Sequence, residues 1–326
     1  MNPFLFALNA VSPIILTVAV GYFLKKIGLI NSELAKGANK LVFKVFLPCL
    51  LFINVYKIES LSSVGYGYIL YAVLSVLAIF AIALPSVIFL TKSNPRRGAA
   101  LQSTFRSNYA LIGIPLASLI DKQMGGAVAS LLSAVSIPLF NVLAVISLSI
   151  FSDKEKPNFK KIGLGILKNP LIIGVALGCL ALLARHLFVG WGVEWRLSDI
   201  EGVYKAMSYL ANAATPVALV MLGAQFEFSA IPGMKKELIF GVMARVVVVP
   251  LLTISIACLI PSFNSAHIAA LFALFATPVA VSSVPMAQES GADASLAGQL
   301  VVWTTFLSAF TLFGFIFVLR LLGVFV

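Results

Sequence analysis

The sequence predicts an all-α polytopic membrane protein with ten transmembrane helices arranged as a 5+5 inverted repeat. Three observations predict this fold class: the composition, the spacing of the apolar segments, and a similarity between the two halves of the chain. Of the 326 residues, 60% are hydrophobic and only 11% are charged, and the mean hydropathy is +1.04. Soluble globular domains carry about 25% charged residues, so the chain lies outside that class.

Ten apolar segments follow one another along the chain. A helix needs roughly 20 residues to cross a hydrocarbon core of about 30 Å. Breaks at Pro, Gly and charged residues place the predicted spans at 6–24, 37–56, 64–91, 98–120, 125–151, 166–185, 203–226, 237–260, 266–287 and 294–325. They leave no room for a separate catalytic domain, and no loop carries a nucleophile, a base or a set of metal ligands. We therefore expect no enzymatic activity, no cofactor and no bound metal.

The basic residues favour one orientation in the membrane. Thirteen Lys and Arg residues lie on or beside the loops after the odd-numbered spans, and six lie on the other loops and the two tails. Cytoplasmic loops carry an excess of Lys and Arg. We therefore expect a multi-pass protein of the cytoplasmic membrane with both termini facing away from the cytoplasm. These flanking residues explain the net charge of +11, and we expect no nucleic-acid partner.

The two halves of the chain are similar to each other. Residues 12–21 and 169–178 are identical at five of ten positions. Three prolines of the first half then recur in order in the second half: Pro48 as Pro216, Pro85 as Pro250, and Pro115 as Pro278. Because each half has five spans, the halves insert in opposite orientations, as in many secondary transporters. The sequence thus predicts repeats at 1–151 and 166–326 joined by a short basic cytoplasmic linker at 152–165; chance similarity is the alternative.

Spans 4 and 9 are the predicted broken helices. Span 4 contains Gly-Ile-Pro at 113–115, and span 9 contains Pro278 among hydroxyl side chains. Proline removes a backbone donor and clashes with the preceding turn, and unwound backbone at membrane depth is tolerated only inside protein or along a wet cavity. If the two helices cross, the positive ends of two half-helices meet and can bind an anion, and the negative ends can bind a cation. An ordinary proline kink is the alternative.

Several motifs carry a resemblance to a known family. They are Ser107-Asn108-Tyr109-Ala110-Leu111-Ile112-Gly113-Ile114-Pro115-Leu116, Leu222-Gly223-Ala224-Gln225, Arg245 with Pro250, Ala276-Thr277-Pro278-Val279-Ala280 and Ala287-Gln288-Glu289. Over essentially the whole chain, the sequence resembles the auxin efflux carrier family of membrane transporters, which includes plant PIN-type auxin carriers and bacterial permeases for malate-like and malonate-like acids. Because it has no long central loop, it resembles the compact, prokaryotic-type members.

The resemblance implies how the spans work together. Spans 1, 2, 6 and 7 are expected to form a scaffold, and spans 3–5 and 8–10 a mobile transport unit. Spans 4 and 9 are expected to cross at Pro115 and Pro278. The resemblance also implies an elevator-like motion and a homodimer. The expected function is secondary active transport of a small organic anion, such as a carboxylic or auxin-like acid, across the lipid bilayer.

The candidate substrate contacts lie around the two breaks. Asn108, seven residues before Pro115, has an amide that can donate to a carboxylate and carries no charge penalty in the empty site. Asn141 is a strongly polar residue in the middle of span 5, for which a hydrogen bond to a neighbouring helix is the alternative. The full set of implied substrate contacts is Asn108, Tyr109, Gly113, Ile114, Pro115, Asn141, Thr277, Pro278, Val279 and Ser282.

Four further residues, Arg245, Arg106, Gln225 and Glu289, are candidate charge partners. A cation near mid-membrane costs at least about 2.5–3.5 kcal/mol on insertion scales. We therefore expect Arg245 to pair with an acid or with carbonyls of a broken helix, in a functional or a structural role. Arg106 is expected near the cytoplasmic end of its span, as a residue of the mouth or as an anchor. Glu289 forms an i, i+4 pair with Asp293 that either serves coupling to H⁺ or Na⁺ or is merely solvated.

Two other functions are the alternatives. One is a Na⁺-coupled symporter like the related bile acid carriers, which share the crossed design; Na⁺-dependent uptake would distinguish it. The other is a transporter-like sensor that binds a ligand without turnover.

Overall fold

The fold is described from a computed structural model that covers residues 3–57, 66–152, 168–192 and 196–325. Within these residues the protein is all-α, apart from one isolated β-bridge. In the described part of the chain, seven helical stretches are long and apolar enough to cross a membrane: Ser32–Tyr56, Gly67–Leu90, Gly125–Ile150, Pro170–Gly190, Glu201–Gln225, Ser229–Cys258 and Ala294–Leu321. All but one residue of the linker predicted at 152–165 lies outside the described residues.

The α-helices are numbered in chain order. They are α1 (Pro3–Lys26), α2 (Ser32–Leu41), α3 (Leu47–Tyr56), α4 (Gly67–Leu90), α5 (Asn94–Phe105), α6 (Ile114–Ile120), α7 (Gly125–Ile150), α8 (Pro170–Gly190), α9 (Glu201–Gln225), α10 (Lys235–Met243), α11 (Val249–Cys258), α12 (Ser265–Ala276), α13 (Ser283–Ser290) and α14 (Ala294–Leu321).

The predicted apolar segments correspond to helices. Seven of them match the long helical stretches, and the segment 6–24 lies within α1. The fourth and ninth segments are each divided: 98–120 contains most of α5 and all of α6, and 266–287 contains most of α12 and α13. For the described residues, a helical architecture with several segments able to cross a membrane is therefore confirmed, and the count of ten crossings stays a prediction.

Three π-helical turns each end two residues before a proline. They are Val42–Phe46 before Pro48, Tyr109–Gly113 before Pro115, and Ala244–Val248 before Pro250. A proline cannot donate to the carbonyl four residues earlier, and its ring clashes with that carbonyl. A wider turn relieves the contact. The proline then stands in the first turn of the next helix, which continues without a break.

Helix α12 lies at the centre of the fold. Every side chain from Ile268 to Ala276 is buried, and α6, α7 and α11 pack around the helix. The last four carbonyl groups of a helix have no partner within it. Because the end of α12 is enclosed, its carbonyls need partners from elsewhere in the protein.

Helices α1 and α9 approach so closely that each requires a glycine. A Cβ atom at Gly21 would lie 2.0 Å from the carbonyl oxygen of Val220, and a Cβ atom at Gly223 would lie 1.9 Å from the carbonyl oxygen of Val18. The two backbones therefore touch at two reciprocal points.

Replacing Gly223 by Ala should lower the unfolding temperature of the purified protein. The added methyl group has to push α1 away from α9, and overpacking of this kind costs about 1–3 kcal/mol. Gly202→Ala is the matched control in the same helix, because no atom lies within 4 Å of its added Cβ. Equal unfolding temperatures for the two variants would contradict the close contact.

Candidate functional site

The interruptions of the two divided segments pair with each other. Helix α5 ends at Phe105 and α12 ends at Ala276, and we call the following residues, 106–108 and 277–282, the two links. Ser107 and Val279 form an antiparallel β-bridge. The Asn108 N–H donates to the Pro278 carbonyl at 2.8 Å. The links thus satisfy part of each other's non-helical backbone, as an apolar interior requires.

Two more backbone hydrogen bonds complete this contact. The Ala280 N–H donates to the Arg106 carbonyl at 3.3 Å. The Val279 N–H donates to the Thr304 hydroxyl of α14 at 3.1 Å. The second link is therefore held from both sides, by the first link and by α14.

The break in the fourth segment is not at Pro115. Pro278 lies within the second link, as predicted, but Pro115 lies in the first turn of α6, seven residues after Asn108. The π-helical turn before Pro115 absorbs the missing hydrogen bond, so the helix continues through the proline. Asn108 is accordingly part of the non-helical link rather than on a helix face beside the break.

Arg245 connects the ends of α5 and α12. Its side chain is fully buried, with 0% exposed. The guanidinium donates to four backbone carbonyls: those of Leu274 and Thr277 at 2.8 Å, of Phe105 at 3.2 Å and of Thr104 at 3.3 Å. Helix C-terminal carbonyls carry partial negative charge, so one cation neutralises two helix ends. The described partners of Arg245 are carbonyls rather than an acid.

A cavity of about 160 Å³ lies beside the two links. Its walls come from the links and from α3, α7, α8 and α9. The described lining residues are Leu47, Leu50, Leu51, Asn54, Arg106, Ser107, Asn108, Tyr109, Ala110, Ile137, Phe140, Asn141, Leu171, Ala214, Thr215, Ala218, Ala280, Val281 and Ser282. Most of the lining residues are apolar, and the links contribute four polar ones, Arg106, Ser107, Asn108 and Ser282.

Arg106 lies deeper than the sequence indicated. It lines the cavity with only 4% of its surface exposed, rather than at the mouth. Helix α5 begins at Asn94, four residues before the predicted span, so Arg106 stands about 18 Å along the segment at 1.5 Å per residue.

The guanidinium of Arg106 is held by neutral groups. It donates to the Asn141 amide oxygen at 2.9 Å, to the Ser282 hydroxyl at 2.8 Å, and to the sulfur of Met286. Among the described lining residues there is no carboxylate. The cavity therefore contains a cation without a counter-ion from the described part of the chain.

Asn108 provides a buried donor without a partner. The residue is 5% exposed, and its amide nitrogen has no hydrogen-bond partner among the described residues. The hydroxyl of Ser107, the preceding residue in the cavity wall, is also buried and has no hydrogen-bond partner among the described residues. Leaving a buried donor unsatisfied costs about 1–3 kcal/mol, so these groups mark a place where a ligand gains affinity.

Asn141 has both ends of its amide engaged. Its oxygen accepts from Arg106, and its nitrogen donates to the Ile137 carbonyl of the same helix at 2.8 Å. Asn141 thus orients the Arg106 guanidinium within the cavity wall.

The other predicted site residues divide into two groups. Tyr109 and Ser282 line the cavity with Asn108 and Asn141, whereas Gly113, Ile114, Pro115, Thr277, Pro278 and Val279 are not among its described lining residues. Gly113 has a packing role, because a Cβ atom there would lie 2.4 Å from the ring of Tyr109. Thr277 and Pro278 contribute backbone carbonyls to Arg245 and Asn108.

Two candidate charge partners lie outside the described cavity wall. Gln225 accepts from the buried amide of Asn39 at 3.1 Å and donates to Gln288 at 3.3 Å, and Asn39 also donates to Gln288 at 3.0 Å. This amide cluster joins α2, α9 and α13. Glu289 is half-buried near the end of α13.

Sequence reasoning missed three polar lining residues: Ser107, which precedes Asn108 in the sequence motif, and Asn54 and Thr215. Asn54 interrupts the apolar run of α3, and Thr215 precedes Pro216 in α9. For Asn54 and Thr215 the only available signal was a single polar residue in an apolar helix, which does not say which way the side chain faces.

Comparison with known proteins agrees with the motifs and the helical fold. An uncharacterized transporter of Methanocaldococcus jannaschii is 25% identical over 245 residues, which are 73% of this chain and 74% of that protein. A family model described as membrane transport protein matches residues 6–316, nearly the whole chain. The chain therefore belongs to this membrane transport protein family, the auxin efflux carrier family that its motifs resemble.

Proposed function

We propose that this protein is a secondary transporter of a small organic anion, such as a carboxylic acid, which binds in the cavity beside the two links. The observation that carries the proposal is Arg106, a buried guanidinium that lines the cavity with only neutral described partners. A cation at membrane depth is costly unless it pairs or lines a wet cavity. An anionic substrate would supply the missing charge.

The helix ends around the links favour an anion as well. The helical segments after the links begin at Tyr109 and Ser283, and helix N-termini carry partial positive charge. The negative ends of α5 and α12 are covered by Arg245. The remaining field at the links is therefore positive.

We further propose the ten-span inverted repeat with crossing spans 4 and 9. Its support is a symmetric packing pattern: α1 packs on α9 through Gly21, and α8 packs on α3 through Gly178, where a Cβ atom would lie 3.1 Å from the Phe52 carbonyl oxygen. Gly21 and Gly178 are equivalent in the sequence repeat. Span 1 thus meets span 7 as span 6 meets span 2.

The position of the cavity suits alternating access. Helices α3, α8 and α9, which belong to spans 2, 6 and 7, form one side, and α7 with the two links forms the other. A substrate between a scaffold and a transport unit is carried across when one slides on the other. We propose this elevator motion in a homodimer of the cytoplasmic membrane, with both termini non-cytoplasmic and with H⁺ or Na⁺ as the coupling ion.

Asn108→Ala should weaken binding of the substrate acid about tenfold, because it removes one hydrogen bond to a carboxylate. The measurement is the thermal stabilisation of the purified protein by a panel of carboxylic acids, in sodium and in potassium buffers and at pH 5.5 and 7.5. Asn212→Ala is the control, since Asn212 is exposed on α9 and is not a described lining residue. If the acids stabilise Asn108→Ala and Asn212→Ala equally, the substrate does not bind at the links.

Arg245→Met should destabilise the protein and abolish acid-dependent stabilisation. The four carbonyls that Arg245 binds would lose their donor, at about 1–3 kcal/mol for each one left unsatisfied. Arg245→Lys should recover part of the loss, because an ammonium keeps the charge but not the planar fork. Arg320→Met, at an exposed arginine of α14, is the control. Thermal unfolding of the three variants checks this, and similar unfolding of Arg245→Met and Arg320→Met would contradict it.

A further inference from the structure

We propose that the cavity selects a monocarboxylate with a neutral polar group at its other end, and that Asn54 and Thr215 recognise this second group. The inference rests on the transport function proposed above and specifies its substrate class. It follows from the number of charges in the cavity wall and from the distribution of its polar residues between the links and the helices α3 and α9.

The described lining residues of the cavity carry a single positive charge. Arg106 is the single charged residue among the described lining residues, and all the others are neutral. A guanidinium is a permanent cation, so one carboxylate balances it. A second carboxylate would have to leave water for a largely apolar wall without a cation, which is strongly unfavourable. A dicarboxylate is therefore a poor substrate for this cavity.

The carboxylate belongs on the side of the links. Arg106, Ser107, Asn108 and Ser282 all lie there, next to the N-termini of the following helical segments at Tyr109 and Ser283. Charge, unsatisfied donors and helix ends therefore coincide on one wall. Each of these features favours an anion.

The wall formed by α3, α8 and α9 carries two polar residues, and both are neutral. Asn54 is in α3 and Thr215 is in α9, both half-buried, and neither side chain has a hydrogen-bond partner among the described residues. Asn54 lies in the last turn of α3 and Thr215 in the interior of α9, and neither position offers free backbone N–H groups to an anion. An amide and a hydroxyl each both donate and accept, so they suit a hydroxyl, a carbonyl, an ester or an N–H group.

Apolar side chains make up most of the rest of the described lining. Leu50, Leu51, Phe140 and Ala218 contribute to the lining. The middle of the substrate is therefore expected to be a short apolar body between its carboxylate and its neutral group.

The test compares three acids of similar skeleton on the purified full-length protein: butyrate, succinate and the monomethyl ester of succinate. Their affinities are measured by calorimetry or by thermal stabilisation. We expect the monoester to bind at least tenfold more tightly than succinate, and more tightly than butyrate, which lacks the second polar group. Tighter binding of succinate than of the monoester to the wild type overturns the inference.

Variants at Asn54 and Thr215 test whether these residues recognise the second polar group. Asn54→Leu should abolish the advantage of the monoester over butyrate. Asn54→Lys, or Thr215→Lys where the first variant does not fold, should reverse the preference to succinate, because it adds a second cation. Asn212→Lys adds the same charge at an exposed position of α9 and should change nothing. An unchanged preference in a folded lysine variant at position 54 or 215 overturns the inference.

A different set of results would contradict the proposed transport function itself. If Arg106→Gln and Asn108→Ala bind all three acids as the wild type does, or if neither these acids nor a wider acid panel bind the wild type, the anion site at the links is wrong. A preference for succinate that both variants abolish retains the anion site and rejects only the monocarboxylate class.

Discussion

The hydrogen bonds of Arg245 are the constraint on which the described site depends. Two helices end inside the protein, where water cannot satisfy their last carbonyls. Because one guanidinium presents several N–H groups in a fixed plane, Arg245 can bind carbonyls of α5 and α12 together. It thereby fixes the distance between the two helix ends. The links that follow are then close enough to pair as Ser107 and Val279 do.

This arrangement also determines the electrostatics of the cavity. Each interrupted helix has a negative end before its link and a positive end after it. Arg245 compensates the negative ends, and its own positive charge is thereby largely balanced by backbone carbonyls. The positive ends and the Arg106 guanidinium have no such compensation among the described lining residues. Two buried arginines of the same chain thus have different partners: backbone carbonyls for one, and neutral side chains that leave its charge unbalanced for the other.

The sequence predicts the helices much better than the site. Apolar length alone locates the helical segments, because crossing a bilayer requires about 20 residues. The break at Pro278 was also predictable. The break near Asn108 was not, because whether a proline breaks a helix depends on whether the preceding turn can widen, as it does before Pro115. Asn54 and Thr215 were missed because the direction of a polar side chain in an apolar helix follows from tertiary packing rather than from its neighbours.

The contacts around the links indicate which surfaces are suited to move. The links bind each other through buried hydrogen bonds, and the second link also binds Arg245 and Thr304 of α14. Arg245 lies in the π-helical turn between α10 and α11. Breaking these would expose unsatisfied backbone at membrane depth, which is costly. Across the cavity, by contrast, α3, α8 and α9 face the links mainly with apolar side chains, which can slide without leaving polar groups unpaired. Asn54 and Thr215 are polar lining residues of these helices, and the amide cluster of Asn39, Gln225 and Gln288 is a polar contact that joins α2 and α9 to α13. Under an elevator motion, the links would therefore travel as one unit with Arg245, and the amide cluster would be the contact that has to open.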